Sequence, residues 1–214
     1  MGKQIWKPGN MLYPLPAVMV SAGNKAGDTN ILTIAWTGTV CTNPPMAYIS
    51  VRPQRHSYQM IYDTKEFVIN LATERMAEAV DYCGVRSGRD VDKWKETGLT
   101  KEASSVLEYA PCIQESPVNI ECRVTEVQEL GSHHMFLAEV AAVRIDDSFM
   151  NAENTFELNK SGLLVYSHGE YLGTGRTLGT FGGSVRKKNS RPKKKGRHSK
   201  GRRLTDLTDC GPVR

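Results

Sequence analysis

Short apolar segments separated by turn residues run along most of the chain, and they predict strands more often than helices. Residues 117–125 alternate between an apolar side at the even positions and a polar side at the odd positions, which is typical of a half-buried antiparallel strand. Residues 135–145 are apolar on both sides, which predicts a strand covered on two faces. The chain therefore contains at least two long strands next to each other in sequence.

Other apolar segments are shorter and rich in β-branched residues, and each is bounded by turn residues. Strands are predicted in this way at 16–23, 31–40, 46–51, 66–72 and 163–167. Pro44 and Pro45 lie between the second and third of these, where two prolines in a row mark a turn.

Two helices are predicted, one at 56–62 and one from a cap at Thr73 to about Gly84, and a long polar loop with a helical turn follows at 85–105. Strands outnumber helices, come at short spacing and show no regular alternation with helices. The pattern predicts a mainly β fold, an antiparallel barrel with a few short helices.

Charge is distributed unevenly along the chain. Residues 186–214 hold 12 of the 28 Lys and Arg and 2 of the 23 Asp and Glu, so residues 1–185 hold 16 basic and 21 acidic side chains, a net charge of −5. The basic segment has few apolar residues before Leu204, which predicts a disordered tail that binds nucleic acid or anionic surfaces without sequence preference.

Cysteine usage and hydropathy favour a reduced, cytoplasmic protein. The five cysteines show no CxxC spacing, so neither a disulfide framework nor a zinc site is predicted, and no metal is expected. The apolar stretch 11–22 is broken by Pro14 and Pro16, which argues against an export signal. No apolar run approaches the roughly 20 residues of a membrane span.

Polar side chains crowd the ends of the strands within 30–58. Hydroxyls, Arg52, Arg55 and His56 follow or interrupt segments that otherwise read as core. Such groups suit a bound phosphate or another anion, since guanidinium and hydroxyl donors match its oxygens. A rim of solvated polar residues would give the same spacing, and the pattern alone leaves both interpretations open.

The order of several segments carries a resemblance to a known family. The segments are PAV at 16–18, NILTIAWTGTVCTNPPMAYISVRPQRHSY at 30–58, FVINL at 67–71, SGRDVDKW at 87–94, GSHH at 131–134 with Glu139 and Val140 after it, and LGTFG at 178–182. Together they resemble the flavin reductase-like family of FMN-binding split β-barrels, and within it the flavoredoxin group. The resemblance spans about 13–188, which implies a domain over 1–188 of antiparallel Greek-key type and leaves 189–214 as the basic tail, for which an extension that is not native to the protein is an equal alternative.

The resemblance implies bound FMN. Arg52 and Lys93 are expected to neutralise its phosphate, with Thr37, Ser57 and Ser87 as hydroxyl donors, and residues 33–38 are expected to run along the isoalloxazine ring. The complete set of expected cofactor contacts is Thr33, Ile34, Ala35, Trp36, Thr37, Gly38, Ser50, Val51, Arg52, His56, Ser57, Ser87, Lys93 and Phe181, the last as a cover over the ring. For Trp36 the assignment stays open, because an aromatic residue in a strand more often lies in the core or in an interface than against a cofactor.

The adjacent histidines are the candidates for a role in the reaction. His133 and His134 fall on opposite sides of a strand, which is a poor arrangement for binding one metal together. By position in the family, His134 is expected near the flavin and the nicotinamide, as the candidate catalytic residue. The GTGRTLG segment at 173–179 has the wrong glycine spacing for a dinucleotide fingerprint and no strand is predicted directly before it, so a Rossmann site is rejected.

Three functions remain open from the sequence. The first is an FMN oxidoreductase that takes electrons from NADH or NADPH and passes them to a small-molecule or protein acceptor; the resemblance implies a homodimer with FMN near the interface. The second is a flavoredoxin-type electron-transfer protein without NAD(P)H activity. The third is anion or nucleic-acid binding through the basic tail. No membrane partner is expected, and nucleic acid is expected only through the tail.

Overall fold

The structure is a computed structural model that describes residues 1–185. The chain divides into two units, Met1–Gly175 and a second that begins at Arg176, of which residues 176–185 are described. The predicted tail at 189–214 lies outside the described residues, and its separation from a domain over 1–188 stays a prediction. Within the described range, no helix has the length and apolar character needed to cross a membrane.

Strands dominate the part of the chain that the structure describes. They are β1 Leu15–Pro16, β2 Val18–Gly23, β3 Thr29–Ile34, β4 Thr37–Thr42, β5 Pro45–Val51, β6 Glu66–Leu71, β7 Lys101–Glu102, β8 Cys112–Ile113, β9 Val118–Glu129, β10 His134–Ile145, β11 Leu164–Ser167 and β12 Glu170–Gly173. The α-helices are α1 His56–Thr64, α2 Ala77–Val85 and α3 Lys93–Thr97, and 3₁₀ turns lie at Glu74–Met76, Asp147–Phe149, Leu158–Lys160 and Gly183–Val185.

Seven antiparallel strands form the main sheet, in the order β3-β2-β6-β9-β10-β5-β4. The sheet curves so that β3 also contacts β5, and its concave side holds a core that includes Val20, Ile49, Phe67 and Phe136. A second sheet pairs β1 with β11 and β11 with β12. The prediction of a mainly β, antiparallel fold with a few short helices is confirmed.

The segment predicted as one strand at 31–40 is two strands. Strand β3 pairs with β2, whereas β4 pairs with β5, so the chain changes partner at Ala35 and Trp36. The Thr37 N–H donates to the carbonyl of Ala35 at 3.1 Å, which closes a tight turn there. This break turns the backbone of 33–36 toward a cleft.

The predicted burial of the two long strands holds only in part. In β9, Arg123 and Thr125 on the polar side are exposed as predicted, but Asn119 and Glu121 on that side are buried. Asn119 donates to the carbonyl of Ile113 at 2.9 Å, and Glu121 accepts two backbone N–H groups of the loop before β8. In β10, predicted to be covered on two faces, Val143 and Ile145 are 55% and 43% exposed. The loop 103–111 packs on β9 and buries part of its polar side. The apolar–polar alternation of a strand cannot predict this contact, because the loop is distant in sequence.

Candidate cofactor site

A cleft with two adjoining lobes lies beside the break between β3 and β4. The larger, of about 850 Å³, is called the aromatic lobe and is lined mainly by 32–36, 50–52, Gly84, Val85, Leu130, Ser132, His133, Tyr166 and Tyr171. The smaller, of about 400 Å³, is called the cationic lobe and is lined by 52–56 (without Pro53), 86–89, Asn30, Leu32 and Lys93. Leu32, Arg52 and Arg55 line both lobes, so the lobes are continuous.

Aromatic rings on two sides of the barrel end line the aromatic lobe. The rings of Trp36 and His133 are stacked, with centroids 6.1 Å apart and planes 19° apart. Tyr166 and Tyr171, from the hairpin β11–β12, have centroids 5.8 Å apart. Planar walls of this kind accept a planar ring system, since offset stacking and apolar burial both favour it.

The cationic lobe concentrates positive charge without a carboxylate in its lining. Arg52, Arg55, Arg86, Arg89 and Lys93 line it, and none forms an ion pair with a residue that the structure describes. Two other arginines of the barrel pair with carboxylates, Arg123 with Glu66 at 3.1 Å and Arg144 with Glu102 at 2.7 Å. Unpaired guanidinium groups gathered in one concavity are the chemistry of a phosphate site.

Lys93 forms the floor of the cationic lobe. Its side chain is 2% exposed, and its Nζ donates to the carbonyls of Ile31 at 2.8 Å and Cys83 at 2.7 Å. Burial, with a smaller contribution from Arg55, lowers the pKa of Lys93 to about 8. The ammonium is therefore held below the lobe with two of its three donors already used.

The walls of the cationic lobe are fixed by contacts between two segments distant in sequence. Arg55 donates to the carbonyl of Gly84 at 3.1 Å and Arg89 donates to the carbonyl of Gln54 at 3.0 Å. Gly88 packs so closely that an added Cβ would lie 2.3 Å from the Asn30 Oδ1. Helix α1 begins at His56, in this wall, and its capping residue Arg55 makes no side-chain cap, so first-turn N–H groups add to the positive field.

Most of the predicted cofactor contacts line this cleft. Thr33, Ile34, Ala35, Trp36, Ser50, Val51 and Arg52 line the aromatic lobe, and Arg52, His56, Ser87 and Lys93 line the cationic lobe. Their roles toward a cofactor stay predictions, but the structure brings them together.

Three predicted contacts in the first unit lie outside both lobes. The Thr37 hydroxyl donates to the carbonyl of Tyr48 at 2.6 Å, and the buried Ser57 hydroxyl accepts from Asn30 Nδ2 at 2.8 Å. Gly38 faces the ring of Tyr48, which would lie 3.0 Å from an added Cβ. These groups support the barrel wall around the cleft. Phe181 lies in the second unit with its side chain exposed, and its role as a ring cover stays a prediction.

The histidine in the cleft is His133. The predicted His134 does not line either lobe, and its Nδ1 lies 2.8 Å from the hydroxyl of Tyr58. His133 lines the aromatic lobe with its Nδ1 3.0 Å from the Ser132 hydroxyl. Burial, then Arg52 and Arg55, lowers the pKa of His133, so its imidazole is neutral near pH 7.

Several lining residues were not among the predicted contacts. Arg55 lies in the segment whose polar side chains were noted, Arg89 lies in the 87–94 segment of the resemblance, and Arg86 directly precedes that segment. RPQR at 52–55 and RSGR at 86–89 each hold two arginines three positions apart, which is a signal that could have identified them. Tyr166 and Tyr171 had no local signal, because a tyrosine in a short strand is equally a core residue. The position of these two tyrosines at the cleft depends on the pairing of β11 with β1.

The GTGRTLG segment begins in β12, so it does follow a strand, contrary to the expectation. The residues after Gly173 form no α-helix within the described range, and a dinucleotide fingerprint requires one directly after the strand. Gly173 instead lies against Glu74, whose Oε1 would be 2.0 Å from an added Cβ. The rejection of a Rossmann site therefore rests on the glycine spacing and on the lack of a following α-helix within the described range.

An antiparallel barrel with an aromatic lobe beside a cationic lobe suits a ligand that has a planar ring and a phosphate. The family model described as "Flavin reductase like domain" matches residues 11–175. The chain belongs to the flavin reductase-like family.

Solved structures of similar proteins agree with this assignment. Flavoredoxin of Desulfovibrio vulgaris (Miyazaki F) is 26% identical, with a TM-score of 0.77 over 84% of this chain and 97% of that one. Flavoredoxin from Methanosarcina acetivorans is 27% identical, with a TM-score of 0.76 over 86% of this chain and 100% of that one. An uncharacterized protein of Pyrococcus abyssi is 28% identical over 72% of this chain and 83% of its own length. The split-barrel fold and the flavoredoxin-like character are thereby confirmed.

Proposed function

We propose that this protein is an FMN-dependent oxidoreductase that accepts electrons from NADH or NADPH and passes them to a small-molecule or protein acceptor. One observation carries the proposal: an aromatic lobe of about 850 Å³ opens directly into a lobe lined by four arginines and a lysine. FMN has the same division, with a planar ring at one end and a phosphate at the other. An FMN-binding protein from Thermus thermophilus shares the fold, with a TM-score of 0.70 at 21% identity.

The residues of the cleft fit FMN in charge and shape. A phosphate monoester carries about −1.5 to −2 charge at pH 7, and Arg52 and Arg55 lie where the two lobes join. The backbone of 33–36 offers amide and carbonyl groups along the aromatic lobe, and these can match the polar edge of an isoalloxazine ring. Bound FMN supplies the redox chemistry.

The role of the chain is to bind FMN, to orient its ring and to tune its reduction potential. The stacked pair of Trp36 and His133 and the pair of Tyr166 and Tyr171 provide walls that exclude water from the ring. Neutral His133 at the same lobe adds no positive charge beside the ring, and its ring nitrogens can hold or donate a hydrogen bond to a second ligand.

The runner-up is an electron carrier of the flavoredoxin type. Such a protein would use the same cleft for FMN without a second binding place for a nicotinamide. The size of the aromatic lobe favours the oxidoreductase, because about 300–1,000 Å³ accommodates an entire drug-sized ligand and this lobe alone would receive only the ring end of FMN.

The deciding experiment is an anaerobic absorption measurement on purified protein. We expect oxidised-flavin bands near about 375 and 450 nm, as for any flavoprotein, and bleaching within seconds of adding NADH or NADPH. Bleaching only by dithionite would instead support the carrier. A colourless protein that does not bind added FMN would contradict both. The variant Arg52→Gln should bind FMN more weakly, and Arg75→Gln, at an exposed position outside the cleft, is its control.

We also propose a homodimer in a reducing, cytoplasmic compartment. Exposed apolar side chains on two strands of the main sheet, which β5 separates, support the dimer. They are Val40 on β4 and Val143 and Ile145 on β10, at 51%, 55% and 43% exposed. Burial raises the pKa of Cys83 to about 11 and that of Cys122 to about 12, which suits thiols that stay reduced. Light scattering with Val143→Lys should show loss of the dimer, and a monomeric unmodified protein would contradict the proposal.

A further inference from the structure

The cationic lobe carries more positive charge than FMN requires. Its four arginines and Lys93 sum to a formal charge of +5 with no carboxylate in the lining, whereas a bound phosphate monoester carries about −1.5 to −2. The acidic side chains nearest to it, Asp28, Asp90 and Asp92, line an adjoining groove that shares Arg89 and Lys93 with the lobe. About three positive charges therefore remain once FMN is bound.

The cationic side chains of the lobe differ in whether they already form hydrogen bonds within the protein. Arg55 and Arg89 each donate to a backbone carbonyl, and Lys93 donates to two. The guanidinium groups of Arg52 and Arg86 make no hydrogen bond or ion pair with any residue in the described range 1–185. Arg52 lies at the junction of the lobes, where the flavin phosphate or ribityl chain would pass, so Arg86 is the uncommitted cation.

We propose that the cationic lobe holds a second anion beside the flavin phosphate, the pyrophosphate of a pyridine dinucleotide, with Arg86 as a ligand. The inference rests on the proposed function and names a binding place for its electron donor. A pyrophosphate carries about two negative charges, so that FMN and the dinucleotide together offset about four of the five positive charges. The nicotinamide of the same molecule would enter the aromatic lobe through the shared opening at Arg52 and Arg55.

The charge of the rest of the body favours a small anion over an acidic protein as the second occupant. Residues 1–185 carry a net charge of −5, and four of the eight arginines in that range line this one lobe. An acidic protein would be repelled by most of the surface it approached, whereas a small anion is attracted into the lobe itself.

The test uses the FMN-loaded protein and inorganic pyrophosphate as the probe. Isothermal titration calorimetry is expected to show one pyrophosphate bound per chain while the flavin spectrum shows that FMN is retained. The variant Arg86→Gln should weaken pyrophosphate binding by about tenfold, the loss of one charge-assisted contact, and should weaken FMN binding less than Arg52→Gln does. Arg75→Gln is the matched control, because Arg75 is exposed and lines neither lobe, and it should bind pyrophosphate as the unmodified protein does.

Several outcomes would overturn the inference. These are no binding to the loaded protein, release of FMN by pyrophosphate, isolation of the protein with FAD in place of FMN, or equal weakening by both variants. Pyrophosphate should also raise the KM for NADH or NADPH in proportion to its occupancy, and an unchanged KM would refute the assignment to a dinucleotide. Failure to bind FMN at all would refute the proposed function instead, so the two failures are distinguishable.

Discussion

The ammonium of Lys93 lies 2.8 Å from the carbonyl oxygen of Ile31, in the strand that forms one side of the cleft. This bond ties the floor of the cationic lobe to β3 two residues before the backbone that lines the aromatic lobe. A buried ammonium with a lowered pKa makes the charge of the lobe depend on pH within an accessible range.

Affinity for FMN should fall as pH rises from about 7 to 9.5. The pKa of Lys93 is lowered from 10.5 to about 8, mainly by burial, so the lobe loses one positive charge as pH rises through that value, while the phosphate stays fully charged above about pH 7. Fluorescence titration of FMN across this range measures the effect. The variant Lys93→Met should bind FMN more weakly at pH 7 and lose the step near pH 8; a step that survives would exclude Lys93 as its source.

The stability of the flavin-free protein should change in the opposite direction over a similar window. Because the folded-state pKa of Lys93 is below its ordinary value, the unfolded chain binds more protons between about pH 8 and 10.5, and the free energy of unfolding rises with pH there. Urea unfolding of flavin-free protein at several pH values measures this contribution as the difference between the unmodified chain and Lys93→Met. An identical pH dependence in the two proteins would contradict it.

Replacing Gly88 with alanine should damage the site more than the fold. The added Cβ would lie 2.3 Å from Asn30 Oδ1 and 2.7 Å from His56 Cδ2, so the 86–89 segment must move away from the wall that α1 provides. We expect FMN affinity to fall at least tenfold and the free energy of unfolding by about 1–3 kcal/mol, as for other overpacked positions. Gly175→Ala is the control, since no atom lies within 4 Å of its added Cβ; equal effects of the two would argue against the steric explanation.

The two adjacent histidines should give separate phenotypes. His133→Ala removes a ring that lines the aromatic lobe and stacks on Trp36, so the flavin spectrum and the rate of reduction by NAD(P)H should change while stability is nearly kept. Tyr58→Phe removes only the hydroxyl that pairs with His134 and should cost about 1 kcal/mol of stability with little effect on reduction. Slower reduction by His134→Ala, with His133→Ala unaffected, would restore the original assignment of His134.

Glu121 should be a strong determinant of stability although it lies outside the cleft. It is fully buried and accepts the N–H groups of Ser105 at 2.7 Å and Val106 at 2.9 Å, which hold the 103–111 loop on β9. Glu121→Gln replaces one acceptor by a donor and should lower the free energy of unfolding by about 1–3 kcal/mol. Glu129→Gln, exposed at the end of the same strand, should change it little. Thermal unfolding of the two variants, measured in parallel with the unmodified protein, tests this expectation.

Local chemistry was enough to predict most of the strands, whereas the residues that line the cleft were predicted largely from the resemblance to the flavin reductase-like family. Turn residues and β-branched runs identify β5 and β6 well, and polar residues at strand ends pointed to Ser50 and Arg52. The hydroxyls of Thr37 and Ser57 line neither lobe, because their partners are the carbonyl of Tyr48 and the amide of Asn30, which are known only once the chain is folded.

The choice between the two histidines shows what the sequence leaves undetermined. Alternation along a strand establishes that His133 and His134 point to opposite sides, but not which side faces the cleft. That depends on the register of β10 on β5, in which His134 lies opposite Val51. Likewise, the burial of Asn119 and Glu121 depends on a loop that packs on β9 from outside the strand.

The opposing arginine segments, 52–55 and 86–89, have a consequence for the protein before any flavin is bound. Their like charges repel one another across the cationic lobe, and the two carbonyl contacts of Arg55 and Arg89 act against that repulsion. A dianion between them acts as a counterion that joins the walls, so cofactor loading and completion of folding are thermodynamically linked. We therefore expect inorganic phosphate to raise the melting temperature of the flavin-free protein. We also expect the amount of folded protein in a cell to depend on the supply of flavin.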